Sequence, residues 1–341
     1  MKFIVAISNE KKILKNELLL LGRACFLETF AINNNSTCDE LMISFPFLHS
    51  SGENSESTKN GVPRVLMVVD AGTVGQSEIE LLSKFQQIIP LIITNETTDI
   101  CEQSLNFNKN CYVYISQASL DHSLRFTAQI IRGIAQCRAS KIIDLLTPGT
   151  LIDSRRVQNA SDKHLCLKAV VQFISALGDD IDDQRFAQGY ASSVGRMIDE
   201  LILNAIFHAN PRFQNSDHDE EYALSMWEAV EVKWGFDGEL FFFSVTDSFG
   251  SLIEHQAITH IGTAQRNRRK NISEENTAPA ETSGLGLRTV FKGTQFLFIN
   301  VIHNSSTEII GGLRFDKTLA QFAERGKIFT FNSNSPKSDS L

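Results

Sequence analysis

The sequence predicts an α/β protein in two domains, a parallel-sheet domain followed by an α/β sandwich. Three observations predict it. The chain has 341 residues, and single cores stop growing at roughly 250–300 residues, so it divides. Short apolar runs alternate with helix-periodic segments over residues 1–138, the pattern of a parallel sheet covered on both faces. Beyond residue 230 the apolar runs return, interrupted by one long polar segment and one short helical stretch. Hydrophobic residues make up 42% and charged residues 21% of the chain, enough apolar matter to build cores.

Residues 3–7 are a short apolar run and predict a buried strand. Leucines at helical spacing predict a helix over 12–21. Residues 26–32 and 41–47 read as strands around a polar turn, and 50–61, rich in Ser, Asn, Glu and Gly, as a loop. The pattern then becomes regular. Residues 64–69 form a strand ending in Asp70, 77–88 a helix, 91–94 and 112–115 strands, and 120–137 a helix. Residues 139–177 read as a mostly helical connector. A long helix over 186–209 opens the second domain, which spans 178–332. Strands follow at 230–234 and 240–246, the second unusually aromatic. The polar stretch 251–283 is long enough to be a lid or binding loop. A helix over 285–292 and strands at 296–303, 307–315 and 327–331 complete the domain. Residues 333–341 read as a disordered tail.

The formal net charge is −8, which argues against bulk nucleic-acid binding, since that draws on positive charge. The six cysteines (Cys25, Cys38, Cys101, Cys111, Cys137, Cys166) show neither CxxC nor zinc-ligand spacing and read as reduced thiols. No segment approaches the roughly 20 apolar residues of a membrane span. The apolar start is cut short by Asn9, Glu10, Lys11 and Lys12, unlike a signal peptide. A cytoplasmic protein without membrane or nucleic-acid partners is expected.

Three motifs carry chemistry. In Asp199-Glu200-Leu-Ile-Leu-Asn204-Ala-Ile-Phe-His208-Ala209, positions four apart stack on one helix face, so Glu200, Asn204 and His208 form a polar stripe. A carboxylate and an amide oxygen one turn apart suit a hydrated Mg2+ ion. A plain amphipathic helix has the same pattern. In the second motif, an apolar strand ends at Asp247, followed by Ser248, Phe249 and Gly250. A buried acceptor there can take a hydrogen bond from an adenine amino group and reject guanine; an ordinary Asx turn is the alternative. In the third, Gly284 and Gly286 precede a helix, where backbone amides and the helix dipole favour phosphate. No Walker-type lysine loop is present.

The order Glu-x-x-x-Asn-Ala-x-x-His-Ala, strand–Asp–turn, long loop and Gly-x-Gly-Leu resembles the GHKL ATPase superfamily, whose members share the Bergerat ATP-binding fold. The Asn-Ala-x-x-His-Ala form is most similar to anti-sigma-factor serine kinases. The resemblance covers residues 169–331. It implies that ATP and Mg2+ are cofactors, that Asn204 ligates the metal, and that Glu200 acts as base or holds the metal's water. It also implies that Asp247 reads adenine, and that Gly284 and Gly286 hinge the lid on the phosphate side. His208 and Gly250 complete the motifs. Phe249 departs from the pattern, standing where the family has glycine. The implied protein is a bacterial signalling kinase acting on serine or histidine of a partner protein. The alternatives are an ATP-gated interaction module, or a scaffold that keeps only the fold.

The first domain looks like a response-regulator receiver of flavodoxin-like type. Asp70 ends a strand where a receiver carries its phosphoacceptor. Yet Gln117 and Ala118 follow the strand ending at Ser116, where lysine is expected, and Glu10 lacks an acidic neighbour. Phosphoryl transfer needs cationic neutralisation, so a pseudo-receiver used for homodimerisation or partner docking is the expectation. His122-Ser-Leu-Arg125 is similar to a kinase phosphoacceptor sequence, but the usual acidic neighbour is Ser123, and a surface histidine is the alternative.

Overall fold

The computed structural model describes the backbone of residues 3–8, 28–33, 65–70, 88–94 and 111–116, and also residues 139–179, 184–213, 221–253, 256–257, 261, 285–315 and 328–334. Outside these fall the expected helices at 12–21, 77–88 (except Ile88, which opens a strand instead) and 120–137, the strand at 41–47, the loop at 50–61, most of the stretch 254–283, and residues 335–341. His122 and Gly284 also lie outside the described residues. The chain forms two compact units, one of residues 1–139 with 326–330, the other of 140–325 with 331–341.

In the first unit, strands β1 (Phe3–Ser8), β2 (Glu28–Asn33), β3 (Val65–Asp70), β4 (Ile88–Thr94) and β5 (Cys111–Ser116) are all parallel, in the order β2-β1-β3-β4-β5. This order is one of the two common in doubly wound sheets. Asp70 is the last residue of the central strand, and Thr94 and Ser116 end the next two.

The second unit combines helices with a six-stranded mixed sheet, in the order β11-β9-β10-β8-β7-β6. Its strands are β6 (Ile152–Val157), β7 (Val230–Phe236), β8 (Leu240–Asp247), β9 (Phe296–Ile302), β10 (Ser306–Arg314) and, from residue 331 onward, β11 (Ile328–Asn334). Its helices are α1 (Ile142–Leu145), α2 (Ala160–Asp179), α3 (Gln184–Leu203) and α4 (Leu285–Gly293). Two expectations are corrected here. The supposed connector contributes β6, which pairs antiparallel with β7 over six positions, and α2, which packs on α3. Strand β11 continues through Asn334, three residues beyond the expected end at 331. No described helix is long and apolar enough to cross a membrane.

The aromatic run of β8 is buried on both sides, which explains why its apolar residues are continuous rather than alternating. Phe241 points to α2 and α3, its ring centroid 6.2 Å from Phe173 and 6.4 Å from Tyr190. Phe242 points to the opposite face and meets Phe296 and Phe298 at 5.7 and 6.5 Å. The glycine pair Gly311 and Gly312 of β10 lies directly opposite Phe243 and Phe242, and a methyl group at either glycine would collide with those rings. Small residues on one strand thus make room for large ones on the next. Farther along the second face, Glu231, Thr246, Glu308 and Asn300 form one cross-strand row. Helix α1 lies on β7 and β8, and the Asn300 amide donates to the Ser140 carbonyl at 2.8 Å.

Candidate functional site

Helix α3 buries Ala187, Tyr190, Ala191, Val194, Met197, Ile198, Leu201 and Ile202. This spacing of three and four residues is the apolar stripe of an amphipathic helix. Glu200 and Asn204 fall beside the stripe and are half-buried. The helix does not continue regularly through the motif. Residues Asn204–Ala209 form a π-helical segment, a rare form found frequently at functional sites. Its bonds run from i to i+5 rather than i to i+4. Ala205, Ile206, Phe207 and Ala209 are buried and His208 is exposed. Of the expected three-residue polar stripe, Glu200 and Asn204 are half-buried and His208 is exposed.

The third motif meets the first. Gly286 lies in the first turn of α4, and a Cβ there would stand 2.7 Å from Asn204 Nδ2 and 3.0 Å from Glu200 Oε2. Any side chain at 286 would push into these two polar groups. At the other end of α4, Gly293 packs against Met197 of α3. The two glycines let α4 lie close along α3. The first turn of α4 carries amides without helical partners, and its dipole favours the neighbouring Glu200 carboxylate.

The second motif adopts the turn its sequence allowed. Asp247 is buried, at 7% exposure, and its Oδ1 accepts from the amides of Phe249 at 2.8 Å and Gly250 at 3.2 Å. Burial raises its carboxyl above the usual range, opposed by those two amides and by hydrogen bonds from Thr307. Gly250 has φ +60, and a Cβ there would run into the Ile302 carbonyl and the amides of Ser305 and Ser306. It serves the turn against the β9–β10 connection. Ser251 then donates to the Ala209 carbonyl at 3.3 Å, tying the Asp247 turn to the end of the π segment.

A further cluster was not singled out by sequence reasoning. Glu228 accepts from the Ser225 amide at 2.9 Å, from Arg212 at 2.5 Å and from Asn210 at 3.3 Å. Asn210 is fully buried and also accepts from the Arg212 amide. These donors, the Ser225 amide foremost, pull the Glu228 carboxyl down to about 2. The Asn210-Pro211 pair, a turn signal, was the only sign of it in the sequence. Asp70 is placed by backbone alone, at the carboxyl end of β3.

Among the described residues no group of three or more His, Cys, Asp or Glu is arranged to hold a metal. No protein-family profile matches the chain, and no curated protein is significantly similar to it.

Proposed function

We propose that the second unit is a Bergerat-type domain that binds ATP with Mg2+ and phosphorylates a partner protein, on serine or histidine, in a bacterial signalling pathway. The observation that carries this reading is the meeting of Gly286 with both Glu200 and Asn204. It joins two motifs more than 80 residues apart in the sequence, as the resemblance requires.

The residues present fit a magnesium nucleotide on the metal side. Mg2+ keeps several waters and takes one or two protein oxygens plus phosphate, so the Asn204 amide oxygen and the Glu200 carboxylate suffice without a larger acidic cluster. When bound, the nucleotide supplies the phosphoryl group. Asn204 would orient the ion, and Glu200 would hold its water or take the proton of the incoming hydroxyl or imidazole. The amides of Leu285 and Gly286 at the start of α4 would face phosphate, with Gly284 as the hinge the resemblance implies. On the base side, the turn amides take one oxygen of Asp247 and Thr307 lies directly opposite on β10 and bonds the same carboxylate, so an adenine amino group would share this carboxylate with them. The first unit, lacking a lysine after Ser116, serves as a pseudo-receiver for partner docking.

One observation favours a second reading, an ATP-gated interaction module without transfer. Gly286 rests directly on Asn204 and Glu200, so a ligand held between them must displace the start of α4, and such a movement can report nucleotide state to a partner.

Radiolabelled ATP with the wild type and its co-purifying partners separates the two. For a kinase, label moves to protein. Glu200→Gln then keeps nucleotide binding and loses transfer by about 100- to 10,000-fold. Label that never leaves nucleotide, beside a partner whose affinity changes with ATP, establishes the gating reading instead.

A further inference from the structure

We propose that the outer edge of β6 is a self-association surface that pairs antiparallel with β6 of a second copy of this chain, the two-fold axis passing through Ser154. Strand β6 is the last in the sheet order. Its inner edge pairs with β7 without interruption from Ile152 to Val157. Residues 153–156 are exposed, and Leu151, just before the strand, is 89% exposed. Among the described residues no strand pairs with this edge.

An open edge offers unpaired amides and carbonyls to any extended chain. Proteins that stay monomeric blunt such edges with proline, lysine, a bulge or a covering segment. Strand β6, Ile-Asp-Ser-Arg-Arg-Val, has none of these. Its charges can still act as a guard, and their order decides whether they do.

Two copies of one strand pairing about a two-fold axis form a continuous antiparallel sheet. Residues directly opposite then lie on the same face, so the axis must pass through a residue. Centred on Ser154, Asp153 of each copy faces Arg155 of the other, giving two opposite-charge pairs. Leu151 faces Val157 twice, although Val157 is already buried within its own copy, so the charge pairs set the register. Ile152 faces Arg156, whose stem can cover it. Shifting the centre to Asp153 or Arg155 sets that charge against itself. The charges thus block the neighbouring registers and favour one. Such a self-complementary, isologous contact fits a second copy and no other partner.

Sedimentation of the full chain over a range of concentrations is the first test, and a concentration-dependent dimer is expected. Arg155→Asp, or Asp153→Arg alone, replaces two attractive pairs by two repulsive ones and should weaken association at least about tenfold. The double swap Asp153→Arg with Arg155→Asp should restore it, which separates lost pairing from a damaged fold. Ser154→Cys should form a disulfide between copies under mild oxidation, above the background of the wild-type cysteines. Opposed Cα atoms lie about 4.5–5.5 Å apart, within disulfide reach. Arg156→Cys should not, because its two copies lie roughly 13 Å apart along the strands. A wild type that stays monomeric at the highest concentration reached would overturn the proposal. So would a dimer indifferent to the reversals, or linkage at 156 in place of 154.

Discussion

Buried and bonded carboxylates in the second unit are held in opposite directions. Glu228 gathers donors from Ser225, Arg212 and Asn210, which lower its carboxyl from 4.5 to about 2. Its folded value lies below its unfolded one, so its stabilisation is present above about pH 4.5 and is lost as pH falls towards 2. Asp247 and Glu308 are raised instead, chiefly by burial. Around Glu308 stand Asn300, Lys233 and Lys141, which lower it, and Glu231, which raises it further. For these two the folded state favours the neutral form, so their contribution is full at low pH and declines as pH rises. Glu228 therefore dominates the acid limb among the three. Between about pH 5 and pH 3, the urea midpoint of the wild type should fall further than that of Glu228→Gln. Equal falls would show that the Asn210–Arg212–Glu228 cluster contributes nothing to acid stability. Asp247 shows how far a single residue is legible. The sequence marked a carboxylate at a strand end, and both an Asx turn and a base-reading group were open. The amides of Phe249 and Gly250 occupy one oxygen, so the turn is present whatever the other oxygen does.

At the scale of elements, β8 and β10 fit by size. Phe241, Phe242 and Phe243 are each 0% exposed, and full burial of such a ring contributes about 1.5–3 kcal/mol. That burial depends on Gly311 and Gly312 opposite. Gly312→Ala should destabilise the protein by about 1–3 kcal/mol, the usual cost of overpacking, read as a lower denaturant midpoint. An unchanged midpoint would mean that the Phe242 ring can move aside freely. The elements that the sequence revealed were those with apolar runs, β7 to β10 among them. Strand β6 escaped because it is an edge with four successive exposed residues, which leaves no alternation to read. The π segment escaped because Asn-Ala-Ile-Phe-His-Ala has no local mark of an extra residue per turn. Nothing local in the sequence distinguishes it from the end of an α-helix. The meeting of Gly286 with Asn204 and Glu200 is tertiary, and only the order of motifs hinted at it.

Among the described residues, the first unit holds five parallel strands and the second a six-stranded mixed sheet. In the first, Asp70 stands at the carboxyl end of the central strand, the edge where open α/β sheets place their sites. In the second, the half-buried Glu200–Asn204 pair lies under the first turn of α4, and the Asp247 turn is tied to the same helix end through Ser251 and Ala209. The central claim is that this arrangement is an adenine-nucleotide site. Calorimetric titration of the wild type with ATP and with GTP, each with Mg2+, tests it most directly. ATP should bind and GTP should not, because the Asp247 carboxylate accepts from an amino group and repels a carbonyl. Asn204→Ala should remove the magnesium dependence of binding. Equal affinity for the two nucleotides, or no heat with either, would contradict the claim and leave the second unit a scaffold.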